Sequence, residues 1–193
     1  MELYFIRHGA TKGNLEHRYV GSTDEPMLLE EKKNLQEMGN SLPHMDYIFV
    51  SPYLRCIQSK EALFGVENTH MELVKDFREM DFGEFEYKNY EELKGNVSYQ
   101  HFINSGGTVA FPGGEEPEVF KKRCGKAFIT CLQKAVVQQA KTAAFVIHGG
   151  TIMAILEQYA VPQKGYYDYQ VKNGQGFQVT VKEKTENIVL EIV

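Results

Sequence analysis

Arg7-His8-Gly9, Arg55 and His148-Gly149-Gly150 are the residues of this chain best suited to chemistry on an anion. Each group stands at or just beyond the end of a short apolar run: Leu3 to Ile6, Tyr47 to Val50 and Ala143 to Ile147. Such runs read as buried strands, and open α/β sheets bind ligands outside the carboxyl ends of their strands. The spacing therefore predicts two arginines and two histidines at one sheet edge. Two guanidiniums in one pocket repel each other unless an anion lies between them, and their planar forks suit phosphate. The glycine after each histidine lets backbone N–H groups approach an oxyanion closely. A histidine beside arginines loses proton affinity.

The elements that must hold these residues can be read around them. Glu30 to Leu42 carries Leu35, Met38 and Leu42 at helical spacing. Tyr53 to Phe64 reads as a helix with Ser51 as its cap. The strongest helix runs from Pro117 to Ala140, with Phe120, Cys124, Ala127, Phe128, Cys131, Leu132 and Ala135 on one stripe. Thr151 to Tyr159 is a further short helix. Phe177 to Val181 and Ile188 to Ile192 alternate like two strands around a polar turn at Lys184 to Asn187, and are expected at the sheet edge. Asp76 to Glu116 is different: it is rich in glycine and aromatics, with weak periodicity. It reads as a cover over the functional end of the sheet, with one helix near Tyr90 to Asn104.

The fold class expected is α/β, three layers α/β/α around a mostly parallel sheet, with residues 1–193 as one domain and the cover at about 76–116. The length of 193 residues suits one domain with a full core. A net charge of −5 argues against a nucleic-acid or membrane surface, so anion binding must rely on a local cationic cluster. No apolar run approaches the roughly 18 residues of a membrane span. Cys56, Cys124 and Cys131 make an odd, widely spaced set rather than a disulfide framework. Seven residues of helix would separate Cys124 from Cys131 by about 10 Å, too far for a bridge. A reducing, cytoplasmic location is expected. His17, His44, His70 and His101 lack metal-ligand spacing, and paired arginines repel cations, so neither metal nor cofactor is expected.

Taken singly, these signals have ordinary structural readings: Arg-His-Gly is a common tripeptide, and Arg55 would suit a solvated helix face. Their order carries more. Arg7-His8-Gly9-Ala10-Thr11-Lys12-Gly13-Asn14 resembles the R-H-G-x-T-x-x-N signature of the histidine phosphatase superfamily, also called phosphoglycerate mutase-like. Gly21 to Pro26 resembles its substrate loop, and Ser51 to Ser59 resembles S-P-L-x-R-x-x-Q-T. Phe77 to Glu86 resembles L-x-E-x-D-F-G-x-W-E, Pro112 to Glu115 resembles P-G-G-E, and His148 to Gly150 matches H-G-G. Tyr87 departs from the family, which often has glycine there, and this bears on the shape of the substrate mouth.

The resemblance implies a two-step phosphoryl transfer. His8 would attack phosphorus and form a phosphohistidine. Arg7, Arg55 and His148 would hold the equatorial oxygens. Glu79 would protonate the leaving oxygen and then activate water, with Glu84 and Glu86 as competing carboxylates. Thr11, Asn14, Gly21, Ser22 and Gly149 would be lesser substrate or phosphate contacts. The function expected is a metal-independent phosphomonoesterase acting on a small phosphorylated metabolite. The alternatives are a phosphoglycerate mutase-type transfer and, ranked last, a non-catalytic phosphate-binding protein. The short cover, with Lys88 and Lys94 as the basic residues between Glu79 and Phe120 apart from His101, favours the phosphatase. The F-G-x-F-E form of the cover motif resembles the branch that includes α-ribazole-5′-phosphate phosphatases. Tyr87, Tyr90, Tyr99, Phe102 and Phe111 would offer aromatic faces to its flat heterocycle.

Overall fold

Side chains alternate across a strand, so a sheet apolar on both faces needs helices on both. The computed structural model describes residues 1–66, 70–184 and 187–193. Its strands are β1 (Glu2–Arg7), β2 (Tyr47–Val50), β3 (Met71–Leu73), β4 (Thr142–Ile147), β5 (Ala160–Val161), β6 (Gly176–Lys184) and β7 (Asn187–Ile192). They form one sheet in the order β3-β2-β4-β1-β6-β7-β5. β1 to β4 pair in parallel, β6 runs antiparallel to both β1 and β7, and β5 is parallel to β7. This is the mostly parallel α/β sheet that the apolar runs predict.

The helices are α1 (Lys12–Leu15), α2 (Leu29–Ser41), α3 (Leu54–Phe64), α4 (Tyr90–Leu93), α5 (Val97–Asn104), α6 (Pro117–Val137) and α7 (Gly149–Tyr159). Leu3, Phe5, Phe49 and Phe145 pack with the buried faces of α6 and α7. Tyr4, Ile6, Ile48, Val50 and Val146 pack on the other side with Leu35 of α2 and Cys56 and Leu63 of α3. Phe145 stacks on Phe5 at 5.0 Å and on Phe49 at 5.1 Å between ring centroids. Truncating so buried a ring to alanine costs about 3–5 kcal/mol.

Several expectations are corrected. Ser51 does not cap α3; the cap position is Tyr53, without a side-chain bond, and Asp24 Oδ1 accepts from the Leu54 N–H at 2.7 Å. α6 ends at Val137 rather than Ala140, because Gln139 takes a positive φ of 58° that breaks the helical path. The hairpin β6–β7 forms, but β5 lies outside it at the edge; two residues are too few for alternation to reveal. The tip of the expected polar turn, residues 185–186, lies outside the described residues.

The cover holds two short helices instead of one. Asn89 caps α4 through the Glu92 N–H, and Asn96 caps α5 through the Tyr99 N–H, so a new start interrupts the run. Phe85, Leu93, Tyr99 and Phe111 bury one another in a small core of its own. Arg123 of α6 fastens both ends of the cover. It forms a bidentate pair with Glu115 at 2.6 and 2.7 Å and donates to the carbonyls of Asp76, Arg78 and Glu79 at 2.8 to 3.0 Å. All three cysteines are free and buried. Among the described residues no helix is long and apolar enough to cross a membrane.

Candidate active site

The register of the two central strands brings the two histidines together. Arg7 pairs with Ile147, and the next residue, His8, donates its backbone N–H to the Ile147 carbonyl at 3.0 Å. The His8 and His148 rings consequently lie 5.1 Å apart, edge to face. β2 ends alongside, with the Ser51 N–H on the Val146 carbonyl at 3.1 Å.

His8 is 4% exposed. Its Nδ1 lies 2.8 Å from the Gly9 carbonyl, which can only accept, so Nδ1 carries the proton and Nε2 keeps a free lone pair. Burial, then the charges of Arg55 and Arg7, hold its pKa well below the ordinary 6.5. The backbone on either side of the imidazole is tethered. Asn173 Nδ2 donates to the His8 carbonyl at 3.2 Å, and the Gly9 N–H donates to Ser59 Oγ at 2.9 Å.

Arg7 has one buried donor to spare. One of its terminal nitrogens donates to the Val171 carbonyl at 2.8 Å, but Nε is buried with no hydrogen-bond partner among the described residues. An unpaired buried donor on a guanidinium is costly and fits an anion's place. Gly149 permits this geometry, since a Cβ there would lie 3.3 Å from the guanidinium.

Arg55 is fully buried and mostly occupied. It donates to the carbonyls of Thr23 at 2.8 Å and Gly21 at 3.1 Å, and Nε donates to His148 Nδ1 at 3.3 Å. Its guanidinium also lies 4.6 Å over the Tyr53 ring. His148 must then accept at Nδ1 and donate from Nε2 to Ser51 Oγ, 2.7 Å away. Burial, followed by the charge of Arg55, keeps this ring neutral. Both nitrogens are engaged, so His148 as placed orients Arg55; contact with a phosphate oxygen would require it to release Ser51.

Glu79 arrives from the cover and is 9% exposed. The Met80 N–H donates to one carboxyl oxygen at 3.0 Å, and the Gly150 N–H, in the first turn of α7, donates to the other at 2.9 Å. Burial raises its pKa and outweighs those hydrogen bonds and the two arginines. A carboxyl that tends to hold its proton beside a neutral histidine is the pairing expected of acid and nucleophile. Glu84 is exposed. Glu86 accepts from the N–H groups of Gly21 at 2.8 Å and Thr23 at 3.0 Å, so it clamps the loop that carries them.

The remaining sequence candidates mostly shape loops. Thr11 and Asn14 form a reciprocal capping box at α1, and Asn14 also accepts from Asn173 at 3.0 Å. Gly21 passes so close to the Met80 carbonyl that any side chain would strike it. Ser22 is exposed at the tip of that loop. Tyr87 has a φ of 61°, the region that favours glycine. It turns away from the mouth: its hydroxyl donates to Glu25 at 3.0 Å, and Arg18 lies 5.2 Å over its ring.

Beside Glu79 and Gly150 opens a cavity of about 690 Å³. Of the aromatics expected to face it, Phe102 and Phe111 do. Tyr99 is buried in the cover core and Tyr90 is exposed. Tyr166 and Tyr167 complete the wall and were not foreseen, nor were Asn173 and Arg123. Residues 164–175 are short polar and aromatic stretches without periodicity. The one legible signal was Asn173-Gly174, a turn dipeptide, where Gly174 takes a φ of 69°.

A sequence model of the histidine phosphatase superfamily (branch 1) matches residues 3–191. The adenosylcobalamin/alpha-ribazole phosphatase of Escherichia coli (strain K12) is 21% identical over 190 residues, covering 95% of this chain and 92% of the relative. The solved alpha-ribazole phosphatase from Shigella flexneri superposes with a TM-score of 0.85 at 20% identity, over 100% of this chain and 96% of that one. A solved phosphoglycerate mutase from Thermus thermophilus gives a TM-score of 0.68 at 27% identity, over 98% of each chain.

Proposed function

Since this chain belongs to the histidine phosphatase superfamily, we propose that it is a metal-independent phosphomonoesterase that passes the phosphoryl group through His8. In this reading the His8 Nε2 lone pair attacks phosphorus in line with the leaving oxygen. The spare donor of Arg7, the remaining N–H of Arg55 and the Gly149 amide at the start of α7 carry the charge that builds on the equatorial oxygens. Glu79 gives its proton to the departing alkoxide. In the second step the Glu79 carboxylate takes a proton from water as that water attacks the phosphohistidine. His8 is released neutral, and Glu79 regains its proton.

The substrate reading is α-ribazole 5′-phosphate. The observation that supports it is the cavity beside Glu79, walled by Tyr19, Phe82, Phe102, Phe111, Tyr166 and Tyr167. A flat heterocycle carried by the leaving alcohol would meet rings there, and such stacking contributes about 1–3 kcal/mol per base in nucleic-acid binders. The test compares kcat/KM for α-ribazole phosphate, a simple sugar phosphate and 3-phosphoglycerate. A preference for the ribazole ester of at least about tenfold, roughly 1.4 kcal/mol, is expected. Equal rates would remove this substrate. Interconversion of 2- and 3-phosphoglycerate faster than hydrolysis would replace the phosphatase with a mutase.

A further inference from the structure

The same cavity has a charged wall that phosphoryl transfer does not use. Gly150, Met153 and Glu157 recur at spacings of three and four along α7, so one helix face runs from the reaction centre into the cavity. Glu157 is seven residues beyond Gly150, about 10 Å at helical rise. Opposite it, Glu118 and Lys121 project from the start of α6. A leaving group whose phosphate sits at His8 would bring its far end to this wall.

Lys121 is the sole cationic side chain lining this cavity among the described residues, and it is engaged on three sides. Its Nζ lies 2.9 Å from Glu157 Oε2, 3.6 Å from Glu118 Oε1 and 5.1 Å over the Tyr166 ring. Glu157 takes its hydrogen bond, while Glu118 is an ion-pair contact and the Tyr166 ring a cation–π one. Partial burial works against the charge, but the two carboxylates outweigh it, and the pKa of Lys121 is raised. With two carboxylates around one ammonium, the wall is negative. A second anionic group on the substrate would have to displace Glu157 and then lie beside it.

We propose that the Lys121–Glu157 pair is a charge filter that sets substrate class. It admits phosphomonoesters whose leaving group ends in a neutral ring and rejects those whose leaving group carries a second anion at its far end. This rests on the phosphomonoesterase reading, and it concerns residues outside the phosphoryl-transfer set. Like charges brought together without compensation act through discrimination more than through raw affinity. Glu157 supplies the repulsion, whereas Lys121 alone would attract the excluded group.

The test uses a matched pair of esters, 2-naphthyl phosphate and 6-carboxy-2-naphthyl phosphate, with the full-length protein. The readout is the ratio of kcat/KM for the carboxylate ester to that for the neutral ester. The ratio should be below about one tenth in the wild type. Glu157→Gln frees the ammonium and should raise the ratio at least about tenfold. Lys121→Met leaves Glu157 unopposed and should lower it further. Opposite movements of the two variants exclude a general loss of structure as the cause. A wild-type ratio near one, or a ratio that Glu157→Gln leaves unchanged, overturns the filter while the phosphatase stands. Hydrolysis of neither ester by the wild type overturns the phosphatase reading, and the filter with it.

Discussion

The Gly150 amide donates a 2.9 Å hydrogen bond to Glu79 Oε2, so the helix that follows His148 holds the carboxyl group delivered by the cover. Strand end, helix start and cover are thereby joined at one carboxyl. The position of this carboxyl depends on the cover staying in place, and its raised pKa on the site staying dry.

The nucleophile assignment predicts a covalent intermediate. Rapid quenching during turnover should trap an acid-labile, base-stable phosphoryl group on His8, and His8→Ala should abolish it. Label recovered on Ser51 or Cys56 instead would discard the assignment. Because guanidiniums rather than a metal ion neutralise the phosphate in this reading, the rate should survive a chelator.

Glu79→Gln keeps the shape of the acid but removes its proton. It should slow an alkyl phosphate by about 10²–10⁴-fold and an activated aryl phosphate much less. A loss under about tenfold on the alkyl ester would move the role elsewhere. The pH profile follows from the shifts: His8 must be neutral, and its depressed pKa puts the acid limb of kcat/KM well below 6.5. Glu79 must be protonated, and its raised pKa moves the basic limb above 4.5. Glu79→Gln should erase the basic limb alone.

Arg123 predicts a coupling between stability and proton donation. Arg123→Met leaves Glu115 without its bidentate partner and frees the Glu79 carbonyl. Breaking such a pair costs about 3–5 kcal/mol when buried. Urea unfolding should show a loss of that order, and the rate on alkyl phosphates should fall more than that on aryl phosphates. A stable variant with equal losses on both ester types would argue that Arg123 does not position the acid.

Stability should also report the buried imidazoles. His8 and His148 have folded pKa values below 6.5, so below about that pH the unfolded chain binds protons that the folded chain does not. Each histidine then lowers the unfolding free energy by up to about 1.4 kcal/mol per pH unit as the pH falls. Glu79 acts in the opposite sense: its pKa is raised, so its contribution is present at low pH and is lost as pH rises through the folded value. With two histidines against one carboxyl, urea unfolding at pH 5.5 should give a smaller free energy than at pH 7. His148→Gln should reduce that difference; an unchanged difference would mean that His148 is not held neutral.

By itself, the sequence determined the parts whose signal is local. Apolar runs end in Arg7-His8-Gly9, Ser51 and His148-Gly149-Gly150, and a buried strand followed by a glycine turn is legible in a few residues. The stripe of α6 was equally plain, because helical periodicity repeats over many turns. Only the tertiary structure decided how those parts share donors. That Ser51 holds His148 rather than capping α3, that Glu86 clamps the Gly21 loop, and that Tyr87 faces Glu25 are outcomes of pairings across long stretches of chain. The cavity wall was hidden for the same reason. Lys121 and Glu157 are 36 residues apart, and each alone reads as a solvated helix charge. Their meaning arises where α6 and α7 pack side by side, because burial and proximity, which set the energy of a charge, are properties of the folded chain.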